Sequence, residues 1–174
     1  MSHQTWGVAI LWGLSTVVAV PAARAEEKLS AQAAFDKLKG LSGEWTAQIE
    51  GHEGGHATIT YRVTGGGKVV METLFPGTAH EMVSMYHMDG DELRMTHYCA
   101  VGNQPRLKLD REASSAETLV FVFDGGTNLD PAKDIHIHAG QIRFKDGGKV
   151  VEGVWEAYQG PEKFHTETFV MRRP

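Results

Sequence analysis

Cysteine is almost missing from this 174-residue chain: Cys99 is the only one. A single thiol cannot close an internal disulfide, so the fold must be held by packing and hydrogen bonds. Basic runs are absent as well. No cluster of Lys and Arg exists to displace the counterions of a polyanion, and the formal net charge is −5, which argues against a nucleic-acid or anionic-membrane partner. Long apolar runs are also lacking. The longest, Gly7 to Val20, has 14 residues, too few to cross a bilayer core of about 30 Å. Internal repeats, low-complexity tracts and linkers are not found either.

That short apolar run precedes Pro21 and the small-residue sequence Ala23-Arg24-Ala25. It reads as a secretory signal cut after Ala25, with no Lys or Arg ahead of it and only His3 in the leading segment. The expectation is an exported protein, periplasmic or secreted, with no membrane span in the mature chain. Loss of residues 1–25 removes Arg24, which takes Lys+Arg from 17 to 16 against 22 acids, a net charge of −6. The residue directly after the cleavage site is Glu26 and not cysteine, so a lipid anchor on cysteine is not indicated.

What remains, residues 26–174, reads as one domain. A helix is expected first: Ser30 is a suitable N-cap, Ala31, Ala34, Phe35 and Leu38 recur on one face, and Gly40 sits where a C′ glycine would end it. Thereafter the apolar period is two. Trp45, Ala47 and Ile49 alternate with polar neighbours, as do Ile59, Tyr61 and Val63, and further runs lie near 68–75, 80–88, 91–101, 105–112, 117–124, 135–145, 149–158 and 163–172. Turn signals such as Gly65-Gly66-Gly67, Asp89-Gly90-Asp91 and Asp146-Gly147-Gly148 separate them. The pattern predicts an all-β protein, an antiparallel up-and-down barrel of about ten strands with one short N-terminal helix. Closure hides the sheet edges, and such a barrel is wide enough to hold a small ligand.

The stretch Gly51-His52-Glu53-Gly54-Gly55-His56 spells H-E-x-x-H, a zinc motif that needs a helix to bring its histidines to one face. It lies between two alternating strands, and its glycines disfavour a helix. It reads as a hairpin turn, with His52 and His56 on the solvent side.

Leu41-Ser42-Gly43-Glu44-Trp45 places a G-x-W directly before the first strand, and the chain ends Phe169-Val170-Met171-Arg172-Arg173. The pair resembles the signature of calycin barrels (lipocalins, fatty-acid-binding proteins and the nitrobindin-like group), and Met95 to Arg106 looks like a stretch of uncharacterised exported bacterial proteins of lipocalin-like type. The resemblance implies that Arg172 or Arg173 packs over Trp45 at a closed barrel end, and that the interior binds something small and largely apolar. The missing disulfides move the likeness from lipocalins toward the nitrobindin-like or fatty-acid-binding type.

Strand parity nominates interior polar groups. Leu93, Met95, His97, Cys99 and Val101 share a face, so His97 and Cys99 should point inward. A three-residue Asp89-Gly90-Asp91 loop would set Val83 opposite His97 and turn His87 inward; a two-residue loop would shift that register by one. Ile142 and Phe144 make the even face of the 135–145 run the inner one, which puts His136 and His138 inside unless Gly140 marks a bulge. One reading is a metal site of His97, His136 and His138 with an open position suited to zinc or non-haem iron. In the nitrobindin-like variant an interior histidine, His165 or His138, would hold haem. The other reading is a polar lining for a small-molecule ligand, shared by His97, Cys99, His136 and His138, with Asn103 and Gln104 at the rim either bonding the ligand or serving the turn. Cys99, about 7 Å along the strand from His97, reads as a buried inert thiol and not a nucleophile. Met82, Met85, Met88 and Met95 read as pliable lining. A filled barrel with no ligand is the third reading.

Overall fold

A computed structural model describes Met1 and residues 28–51 and 55–174. The expected signal segment, with its cut after Ala25, and His52 and Glu53 of the H-E-x-x-H stretch lie outside the described residues.

One helix and ten strands follow in order: α1 (Ala31–Lys39), β1 (Gly43–Ile49), β2 (His56–Thr64), β3 (Val69–Leu74), β4 (Met82–Asp89), β5 (Glu92–Tyr98), β6 (Gln104–Leu109), β7 (Thr118–Thr127), β8 (Ile135–Lys145), β9 (Val150–Gln159) and β10 (Glu162–Arg172). Every neighbouring pair is antiparallel, and β10 returns to β1, so the sheet closes into an up-and-down barrel. Closure leaves no edge strand to attract another chain. The layout is consistent with a calycin-like fold. Among the described residues no helix is long and apolar enough to cross a membrane.

The helix forms for the reasons its sequence suggests. The Ser30 hydroxyl accepts from the Ala33 amide at 3.1 Å, and Ala31, Ala34, Phe35 and Leu38 are the buried face. Fully burying side chains such as Phe35 and Leu38 is worth roughly 1.5–3 kcal/mol each. Gly40 ends the helix as expected, standing as its C-cap with φ −64°.

The helix covers the end of the barrel where β1 starts and β10 stops. Trp45 is buried there, its indole N–H donating to the Leu41 carbonyl at 2.7 Å. Of the two candidate arginines, Arg173 is the one over Trp45, with its guanidinium carbon 4.5 Å from the ring centroid. The same guanidinium donates to the carbonyls of Ser42 and Gly40 at 3.1 and 3.2 Å. Gly43 has φ +121°, and a Cβ on it would stand 2.8 Å from Arg173 Nη1. The glycine of G-x-W is thus the space through which the arginine reaches the tryptophan.

The β4–β5 hairpin has a two-residue loop, Gly90-Asp91, because Asp89 pairs with Glu92. Of the two loops the sequence allows, the two-residue one forms, so Ser84 and not Val83 lies opposite His97. Ser84 and Tyr86 are buried and His87, of opposite parity, is not an interior residue. Met82 and Met95 do line the interior, and Met88 packs on the core, whereas Met85 shares the outer parity of His87. β1 and β2 pair antiparallel with Gln48 opposite His56, and His56 opens β2 as an exposed residue.

Candidate functional site

The half of the barrel away from α1 contains a cavity of about 210 Å³. Its walls are mostly apolar (Leu74, Phe75, Met82, Met95, Ile135, Ile137, Trp155, Ala157 and Phe169), and its polar members are Ser84, His97, Cys99, His136 and Glu167.

Below the cavity lies a row of polar residues contributed by four successive strands. Tyr61 of β2 is the direct cross-strand partner of Glu72 on β3, Glu72 of Ser84 on β4, and Ser84 of His97 on β5. All four are buried. The Tyr61 hydroxyl donates to Glu72 Oε1, and the Tyr86 hydroxyl donates to Glu72 Oε2 at 3.0 Å. Burial pushes the Glu72 carboxyl above its ordinary range, and hydrogen bonds from Tyr61, Ser84 and Tyr86 oppose that shift. Burial, reinforced by the nearby Glu72 charge, holds both phenols well above their usual range, so they remain proton donors. Ser84 Oγ lies 3.0 Å from His97 Nδ1. Burial lowers the His97 imidazole from 6.5 to about 4, which makes the ring neutral at neutral pH.

Parity found His97 and Cys99, but the carboxylate was missed. The signal was present: Val70, Glu72 and Leu74 share the inner face of β3, so an acid occupies a position flanked by two core residues. Glu167 was missed too; it pairs with Trp155 across β9 and β10 and reaches the cavity, with His165 Nε2 at 3.2 Å from its Oε2. Cys99 is only half-buried, in contrast to the expected buried thiol, with its Sγ 4.0 Å from Met82 Sδ.

Of the second histidine cluster, His136 is buried and lines the cavity as expected, whereas His138 lies in the wall. A bulge interrupts β8 between Ile137 and Ala139, at His138 and not at Gly140. It reverses parity: Ile135 and Ile137 line the cavity ahead of the bulge, and Gly140 and Ile142 face inward after it. The β7–β8 ladder stops at Val122 and Ala139. Beyond it Phe123, His136 and His138 fill the seam between the strands. His138 is sandwiched between Phe123 and Tyr158 at 4.8 and 4.4 Å, and His136 packs 4.9 Å from Phe123.

Both His136 nitrogens are occupied. Nδ1 lies 2.9 Å from the Asp134 carbonyl, which can only accept, so Nδ1 carries a proton. Nε2 is then the acceptor for His138 Nδ1–H at 3.0 Å. The His138 ring is held below its ordinary value, first by burial and then by the proximity of His136. His136 is fully buried but offers the cavity no free lone pair, and His138 is half-buried in the wall. The two do not join His97 in a ligand set: among the described residues no group of three His, Cys, Asp or Glu side chains is placed to hold a metal ion. His165, the other residue considered for haem, is exposed on β10.

Asn103 and Gln104 bond within the protein. The Asn103 amide donates to the Ile135 carbonyl at 2.8 Å, and Gln104 Oε1 accepts from Thr127 and Asn128 at 2.9 and 3.1 Å. They tie the β5–β6 turn to β7 and β8, the second of the two roles open to them. No protein-family model matches the chain, and no curated protein matches it.

Proposed function

We propose that this is an exported calycin-like binding protein that holds a small, largely apolar molecule in the cavity of the open half of the barrel. The observation that supports this reading is the division of the interior. One end is plugged by α1, Trp45 and Arg173, while the other keeps about 210 Å³ unfilled between Leu74, Ile137, Trp155 and Phe169. Protein interiors are packed to crystal-like density, so an unfilled space that ends in ordered polar groups fits a binding site better than a packing fault. Ten strands give the width for it. The seam histidines serve as wall, and His97 as the polar contact.

Native mass spectrometry of protein purified from its own cells tests this. A bound organic mass is expected on the wild type and should be lost in Ala157→Trp, which fills the cavity. An empty wild type, or the same mass on the filled variant, contradicts the reading. The intact mass also tests export, since processing after Ala25 leaves a chain beginning at Glu26.

A further inference from the structure

We infer that the cavity selects a neutral ligand bearing a hydrogen-bond donor, of phenol or short-alkanol class, and that the His97 Nε2 lone pair receives that donor. This rests on the binding reading above and names the ligand chemistry of the same site.

The polar row fixes the proton positions. Tyr61 and Tyr86 keep their protons and both donate to Glu72, the one carboxylate beneath the cavity floor. Ser84 completes the set of hydroxyls around that carboxylate. Glu72 is the direct cross-strand partner of Ser84 and its carboxylate is the strongest acceptor in the row, so we assign the Ser84 proton to it, which leaves Oγ a lone pair toward His97 Nδ1, 3.0 Å away. A short contact between a lone pair and a neutral ring needs a proton on the ring atom, so His97 Nδ1–H donates to Ser84 Oγ. Nε2 is thereby left as a bare acceptor. No protein group among the described residues bonds to it, although His97 is only 5% exposed and lines the cavity.

The rest of the lining excludes the alternatives. Among the described residues no Lys or Arg lines the cavity, and Glu167 does, so a carboxylate ligand would be desolvated beside a like charge with no lysine or arginine to meet it. His136 cannot take the donor, because both of its nitrogens are engaged. A purely apolar ligand would fit the walls but would strip water from Nε2 and return nothing, a loss of about tenfold in affinity. Size sets the scale: a dry apolar cavity of about 150 Å³ takes benzene, and the space here is about 210 Å³. A phenol, a cresol or an alkanol of a few carbons is of that order.

Calorimetric titration of the full-length mature protein with phenol, toluene and benzoate, paired with ¹⁵N-imidazole NMR of His97, tests the assignment. Phenol should bind at least tenfold tighter than toluene, benzoate should bind more weakly than both, and His97 should show the Nδ1–H tautomer. Ser84→Ala, a small change within the row, should shrink the preference of phenol over toluene and release the tautomer. Toluene or benzoate binding as tightly as phenol, or an Nε2–H tautomer in the wild type, overturns the inference and leaves the binding reading intact. If neither phenol nor toluene binds and the native protein carries no organic mass, the binding reading fails and this inference falls with it.

Discussion

Ser84 Oγ sits 3.0 Å from Nδ1 of His97, an imidazole that burial keeps neutral at neutral pH. Its consequence for stability can be signed. Burial lowers the ring from 6.5 to about 4. Above 6.5 the ring is neutral in both the folded and unfolded chain. Between 6.5 and about 4 the unfolded chain takes up a proton that the folded chain refuses, so stability is lost as pH falls through that window. The full loss is about 3 kcal/mol for a shift of this size. Glu72 works in the opposite direction: its raised carboxyl keeps a proton that the unfolded chain gives up above 4.5, so its contribution is lost as pH rises. Urea midpoints between pH 7.5 and 4 should therefore fall on acidification. His97→Gln should flatten the fall, and Glu72→Gln should steepen it. A His97→Gln protein that keeps the wild-type acid loss would rule out this origin.

Gly140 and Trp155 are cross-strand partners on the inner face, and the indole lies where the glycine has no side chain. A Cβ at 140 would stand 2.2 Å from Trp155 Cε3 and Cζ3. Gly140→Ala must push the ring into the cavity or bend β8, at a cost of about 1–3 kcal/mol. The cost should shrink sharply in a Trp155→Leu background, so the two changes will be non-additive in urea titrations. Additive effects would mean that the ring is not what the new methyl meets.

These two relationships show what the sequence could and could not convey. Period-two alternation carries the strands, and turn residues carry their separation, so the ten-strand barrel and the helix were legible in the sequence alone. His97 was legible for the same reason, since no irregularity lies between it and Met95. The register of β4 was not, because Asp89-Gly90-Asp91 accommodates loops of two or three residues, and only cross-strand hydrogen bonds decide between them. The place of His138 was hidden by a bulge at that residue, and a bulge leaves no mark in alternation when both faces carry apolar residues. Gly140 drew suspicion as the bulge because a glycine in a strand has two meanings, an irregular backbone or a close neighbour. Here it is the neighbour, Trp155.

Asn103 is a test of the seam. Its Nδ2 donates to the Ile135 carbonyl at 2.8 Å, while its Oδ1 is buried without a partner. Asn103→Ala removes both a bond and an orphaned acceptor, so the net loss should be about 1 kcal/mol. Asn103→Asp replaces the donor with a charge facing a carbonyl oxygen, and the loss should reach about 3–5 kcal/mol at neutral pH. Urea midpoints of the two variants give the order. An aspartate variant as stable as the alanine variant would mean that the side chain has turned out to solvent and does not join the turn to β8.

At the opposite end Arg173 lies over Trp45 and bonds the carbonyls of Ser42 and Gly40, whereas Arg172 extends β10 with its side chain exposed. The contribution of Arg173 has two parts, the cation over the ring and the two hydrogen bonds that hold the chain between α1 and β1. Each is partly screened because the group is exposed, and together they should amount to about 1–3 kcal/mol. Arg173→Ala should lose that amount, and Arg173→Lys about half, since an ammonium keeps the charge but cannot bond both carbonyls from one plane. Arg172→Ala should change stability by less than about 0.5 kcal/mol. Phenol affinity measured on the same variants separates the two ends of the barrel. The cavity shares no lining residue with the Trp45 end, so Arg173→Ala should unfold more easily yet bind with unchanged affinity under native conditions. A parallel loss of affinity would mean that the plug at the closed end sets the geometry of the open one.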